Sequence, residues 1–90
     1  MKDEFQHLVT QLEQHVHILT EYSKTHYSVK SAGRLFDFEN FENQIVVSVM
    51  GTAECCSNSF DSIIHFLATE YPNIHAFQSL YSAHGYTVNA

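Results

Sequence analysis

Leu35-Phe36-Asp37-Phe38-Glu39-Asn40-Phe41-Glu42-Asn43-Gln44-Ile45-Val46-Val47-Ser48-Val49-Met50-Gly51 decides how this chain is read. Residues 35–38 alternate apolar and polar, the pattern of a half-buried strand. Residues 44–50 are denser, with only Gln44 and Ser48 polar. Asn40 and Asn43, between the two runs, tolerate left-handed turn geometry. The stretch therefore predicts an antiparallel hairpin with Asn40-Phe41-Glu42-Asn43 as a four-residue loop. That loop sets Phe38 opposite Ile45 and Phe36 opposite Val47. With Val49 these residues form one apolar face of aromatic and β-branched cross-strand pairs. The other face, Leu35, Asp37, Val46, Ser48 and Met50, is mixed.

The second strand of this hairpin is apolar on both faces, as strands inside a sheet are. A lone hairpin is also marginal in water. A third strand is therefore expected, from this chain or from a partner. The tripeptide Phe38-Glu39-Asn40 recurs directly as Phe41-Glu42-Asn43. The repeat offers an alternative register, but the reading adopted is chance, with Phe41 an exposed loop aromatic.

Upstream, Phe5, Leu8, Val9, Leu12, Val16, Leu19 and Ser23 share one arc at 100° per residue, so a first helix is expected over Asp3–His26. Asp3 and Glu4 in its first turn, and Lys24 and His26 near its end, suit the helix dipole. Gln11, His15, Ile18 and Tyr22 flank that stripe and read as a contact seam, against the same helix of a second copy. Residues 25–33 and 51–58 read as connectors. Ser57 or Ser59 can cap a second helix bearing Phe60, Ile63, Ile64, Leu67 and Tyr71 on one face. Pro72 ends it. Asn73 opens a third helix, with Ile74, Phe77, Leu80, Tyr81 and His84 on one face, and Gly85 suits the left-handed position past its end. Tyr86-Thr87-Val88-Asn89 is β-prone, either the missing third strand or a loose tail. The fold class expected is α+β: a long N-terminal helix, an antiparallel hairpin, two shorter helices on one sheet face and a possible final strand.

The 90 residues make a single small globular domain, 44% apolar and only 16% charged, which argues for a folded chain. The weakly charged surface points to partial cover in a homodimer. The N-terminus carries no signal peptide pattern, and no apolar run approaches the ~18 residues a membrane span needs. A cytoplasmic protein that does not act at a membrane is expected. All four cations (Lys2, Lys24, Lys30, Arg34) precede residue 35, whereas residues 35–90 hold six acids and no Lys or Arg. The net charge of −6 therefore arises from the hairpin onward. Direct nucleic-acid binding is disfavoured, since phosphate contacts need clustered cations; a basic protein partner is allowed.

The seven histidines raise the question of a metal. His15 and His17 on a helix point about 160° apart, and no two histidines have the helical spacing of three or four that would let them share an ion. Cys55-Cys56 lacks the spacer of zinc sites and makes no disulfide framework. The pair lies near the start of the second helix, where a thiol pKa can be lowered, but a catalytic thiol also needs a positioned base. Glu39 and Glu42 occupy a solvated turn, and three isolated glycines make no phosphate loop. No catalytic residue, cofactor or metal is expected. The function expected is a non-enzymatic protein–protein interaction or adaptor module acting as a homodimer, with contacts at Gln11, His15, Ile18 and Tyr22 and at an acidic hairpin patch, Asp37, Glu39, Phe41 and Glu42. Two alternatives stand beside it: a small inhibitor or nucleic-acid mimic of the kind carried on mobile elements, and a His/Cys-dependent metal or small-ligand binding module.

Overall fold

The computed structural model describes residues 3–86. Among these, the order of elements is α1 (Glu4–His15), β1 (Leu19–Ser23), β2 (His26–Ser31), β3 (Arg34–Phe41), β4 (Gln44–Val49), β5 (Thr52–Ser57), α2 (Phe60–Glu70) and α3 (His75–Ala83). The strands form one antiparallel sheet in the order β1-β2-β3-β4-β5. All three helices lie over one face of it, giving an α+β sandwich of two layers. No helix among the described residues is long and apolar enough to cross a membrane.

The expected hairpin is the centre of this sheet, β3 and β4, and the strands it needs come from its own chain: β2 beside β3 and β5 beside β4. The turn is tighter than expected. Only Glu42 and Asn43 form it, both at positive φ (50° and 65°), the geometry of a two-residue type I′ hairpin. Ala32-Gly33 and Met50-Gly51 repeat that geometry in the flanking hairpins. The shorter turn moves the register by two residues, so Phe36 pairs with Val49, Phe38 with Val47 and Asn40 with Ile45. A shift of two leaves every side chain on its face. Phe36, Phe38, Ile45, Val47 and Val49 are accordingly the buried, helix-covered face. Phe41 belongs to strand β3, paired with Gln44, rather than to a loop. It lies three positions from Phe38, an odd step, so the tandem repeat puts one phenylalanine on each face.

The first helix is half as long as expected. Its stripe holds through Phe5, Leu8, Val9 and Leu12, all buried, and Asp3 caps it by accepting from the N–H groups of Phe5 and Gln6. After His15 the chain turns extended at Val16 (φ −107°, ψ 153°). Residues 19–31 form the β1–β2 hairpin instead of helix and connector. Two residues in β2 explain this. Tyr27 and Val29 alternate with His26, Ser28 and Lys30, and both reach the core. Residues 52–57, expected as a connector, are the edge strand β5.

The C-terminal half follows its local signals. Ser59 caps α2 by accepting from the Ser62 N–H, and Tyr71 closes the helix just before Pro72. Asn73 does not cap α3; Ile74 holds that position without a side-chain bond. Gly85, at φ 88°, takes the left-handed position after α3. Of Tyr86–Asn89, residues 87–89 lie outside the described residues, and Tyr86 stacks on the Tyr81 ring at 4.7 Å.

The core is aromatic where helices meet β3. The Phe36 ring stands edge-on to Phe77 and to Tyr71, each at 5.0 Å, and Phe5 of α1 meets Tyr27 at 6.0 Å. Polar ties also join the helices. The Glu4 carboxylate of α1 accepts from the Phe60 N–H at the start of α2 (2.9 Å), and the Gln78 amide of α3 donates to the Ala68 carbonyl of α2 (2.9 Å).

Candidate functional site

Helices cover one face of the sheet, and the opposite face stays open. Strand alternation and register assign its residues. Thr20, Ser28, Asp37 and Ser48 form a polar row across the centre. Lys30 and Leu35 lie toward the end with the Ala32-Gly33 and Met50-Gly51 turns. His26, Glu39, Val46 and Cys56 lie toward the other end, with Phe41 and Gln44 beyond them beside the Glu42-Asn43 turn.

The large exposed apolar side chains among the described residues are Ile18 (56%), Tyr22 (59%), Leu35 (37%), Phe41 (65%) and Met50 (65%). Tyr22, Leu35 and Phe41 are on the open face. Met50 is at its rim, where its sulfur accepts from the Leu35 N–H. Ile18 lies in the connector that leads into β1. Single exposed apolar residues are ordinary on a protein surface; here Leu35 and Phe41 mark the two ends of β3 and Tyr22 the β1 edge, around the central polar row.

A polar cluster anchors the middle of this face. His26 Nε2 and Asp37 Oδ1 are 2.9 Å apart, an ion pair whenever the imidazole is protonated. The Tyr22 ring lies against His26 at 4.7 Å, and its hydroxyl accepts from Ser28 Oγ at 3.4 Å. A β-bulge between Glu21 and Ser23 aims Tyr22 this way. Ser28 is thereby 3% exposed although it points away from the helices. Its hydroxyl is directed at Tyr22 and not at His26, so the serine, histidine and aspartate are not arranged as a nucleophile, base and orienting acid, which needs the base on the hydroxyl.

The expected seam along one helix does not form, because α1 ends at His15. Gln11 and His15 are on α1, and Gln11 is occupied, its Oε1 accepting from His84 Nε2 at 3.0 Å. Ile18 and Tyr22 are beyond the helix, Tyr22 on the open face. The hairpin residues fare differently. Asp37, Glu39 and Phe41 share the open face with Tyr22, and Glu42 stands in the adjoining turn. They do not form one acidic patch, since Asp37 is tied to His26.

The cysteines are not at a helix start either. Both are on β5 and on opposite faces, Cys55 half-buried against the core and Cys56 exposed. Burial pushes the Cys55 thiol above its ordinary pKa, and the neighbouring Cys56 adds to the rise. This is the reverse of an activated thiol. Burial likewise lifts the Tyr71 phenol, helped by Glu54 and opposed by the Arg34 guanidinium, which lies 5.3 Å over the ring.

The histidines are dispersed among aromatic and hydrogen-bonding partners. His7 and His84 flank Phe60 at 4.2 and 4.7 Å, and His65 meets Tyr81 and Tyr86. Among the described residues no three His, Cys, Asp or Glu side chains converge as metal ligands would. A cleft of about 460 Å³ opens beside Asp3, Glu4, Asn40, Asn43 and Asn58. Its two carboxylates already serve the starts of α1 and α2, a structural task that accounts for their position. Compared with known proteins, the chain matches no family model, no curated protein and no solved structure.

Proposed function

We propose that this protein is a non-enzymatic protein–protein interaction module whose docking surface is the open face of its sheet. One observation carries the reading. The helices cover one face, while Tyr22, Leu35 and Phe41 are exposed on the other with Met50 at its rim. Aromatic residues and methionine are the types enriched in interface cores. The Tyr22–His26–Asp37–Ser28 cluster holds Tyr22 in place before any partner arrives, which lowers the entropy cost of docking.

The sheet edges are poorer candidates. Both β1 and β5 pair through irregular registers, at Glu21/Ser23 and at Val47/Ser48. Bulged edges discourage strand addition, so the face is the favoured route. The nucleic-acid mimic alternative needs acids concentrated on one surface. Here Asp3 and Glu4 serve helix ends, Asp37 pairs with His26, and the rest are spread over both layers.

Site-specific photocrosslinking in the source cells tests the reading. A photoreactive phenylalanine at position 41 is expected to give a discrete protein adduct, and the same residue at position 79 on the outer side of α3 is not. Equal labelling from both positions, or none from 41, would sink it.

A further inference from the structure

We infer that the open face is covered by a second copy of this chain, packed face to face about a two-fold axis that runs across the strands. The inference rests on the docking reading above and adds the occupant and its orientation.

Charge selects the occupant. The chain carries −6, so two copies repel wherever acidic surface meets acidic surface. The open face with its turns holds two of the four cations, Lys24 and Lys30, and only three of the ten acids, Asp37, Glu39 and Glu42. That leaves −1 there and −5 on the rest of the chain. The open face is thus where a second copy can approach at least cost.

Charge also selects the axis. Two sheets that pack face to face keep their strands roughly aligned, and a two-fold dimer can do this in two ways. With the axis along the strands, each end of the face meets the same end of its mate: the Lys30 end meets another Lys30 end, and the other end, net −1 from Glu39, Glu42 and the neighbouring Lys24 of the β1–β2 turn, meets its own copy. With the axis across the strands, the ends exchange. The Lys30–Leu35 end then lies on the Lys24–Glu39–Phe41–Glu42 end of the partner, which joins a net +1 to a net −1 and sets Leu35 and Met50 toward Phe41. Lys30 and Leu35 are on neighbouring strands at one end, and Glu39 and Phe41 share β3 at the other. One face therefore offers both halves of the contact.

Native mass spectrometry of the full chain and of charge-reversed variants tests the inference. Wild type is expected as a dimer. Lys30→Glu, and separately Glu39→Lys with Glu42→Lys, should each weaken it by roughly tenfold or more, because like charges placed face to face are costly. Mixing the two variants should restore a heterodimer, since each then supplies the charge that the other lacks. Melting curves within a few degrees of wild type exclude misfolding. A monomeric wild type, reversals without effect, or failure of the mixture to pair would overturn the inference. So would a preference of Lys30→Glu for wild type over the complementary variant, which is the signature of the other axis. The outcomes also separate from the docking reading: a monomer that still crosslinks from position 41 to another protein keeps the docking face and removes the second copy.

Discussion

The two faces of the sheet are built from the same strands yet are opposite in kind. On the helix side Val29, Phe36, Phe38 and Val47 are fully buried. At the alternate positions of β3, Leu35 and Phe41 stand open to solvent, and Tyr22 joins them from β1. The helix face holds the fold together through packing. The open face carries residues of the same chemistry that do little for the isolated fold, so their presence asks for a reason outside it. The comparison teaches that in a one-sided sheet the strand period alone separates stability from recognition.

The sharpest way to break the comparison is to truncate one phenylalanine on each side. Phe38→Ala should cost about 3–5 kcal/mol, the usual penalty for emptying a buried aromatic site. Phe41→Ala should change the stability of the single subunit by less than about 0.5 kcal/mol, as surface substitutions do, when unfolding is followed at a protein concentration low enough to separate the copies. Urea unfolding of both variants decides it, and comparable losses would merge the two faces into one core. Next in size is Gly51→Ala. Gly51 sits at φ 87° with open space around it, so the penalty is conformational and not steric, about 1 kcal/mol. Asp3→Ala removes the cap of α1 and should also cost about 1 kcal/mol.

The smallest effect is chemical. Cys55 and Cys56 point to opposite faces, so a thiol reagent at neutral pH should label Cys56 first. Labelling of Cys55 should lag until higher pH, because its raised pKa keeps it protonated. Because folding raises the Cys55 pKa, its stabilising contribution is present below the unfolded value and is lost as pH rises through the folded one. Equal rates at both cysteines would contradict the assignment of faces on β5.

Much of this fold was legible in the sequence. Alternation gave the buried face of β3 and β4, and Ser59, Pro72 and Gly85 marked the ends of α2 and α3 through local capping chemistry. The β1–β2 hairpin was not legible as such. Val16, Leu19 and Ser23 continue the helical phase of Phe5 to Leu12, and that coincidence outweighed the alternation of Tyr27 and Val29. Core burial of Tyr27 and Val29 decides the outcome, as tertiary packing commonly overrides local pattern. Strand β5 was hidden for a different reason. As an edge strand it sends only Cys55 against the core, with a bulge beside it, so it shows no apolar period.

The candidate site was half legible. Asp37, Glu39, Phe41 and Tyr22 share one face, whereas the helical phase of residues 11–22 points to a seam of Tyr22 with Gln11. Nothing local signals that Gln11 bonds His84, 73 positions away, or that a bulge turns Tyr22 over Ser28. The pairing of His26 with Asp37 was in principle readable once β2 is taken as a strand, since the two then face outward together.

The most direct test is sedimentation velocity on wild type beside the double variant Tyr22→Asp, Phe41→Asp, with melting curves for both. The expected result is a wild type of twice the 10.3 kDa chain mass, a variant at the chain mass, and a variant that still melts cooperatively, below the wild type by no more than the lost association contributes. A variant that stays associated, or that loses the fold along with the association, would contradict the division of labour between the two faces.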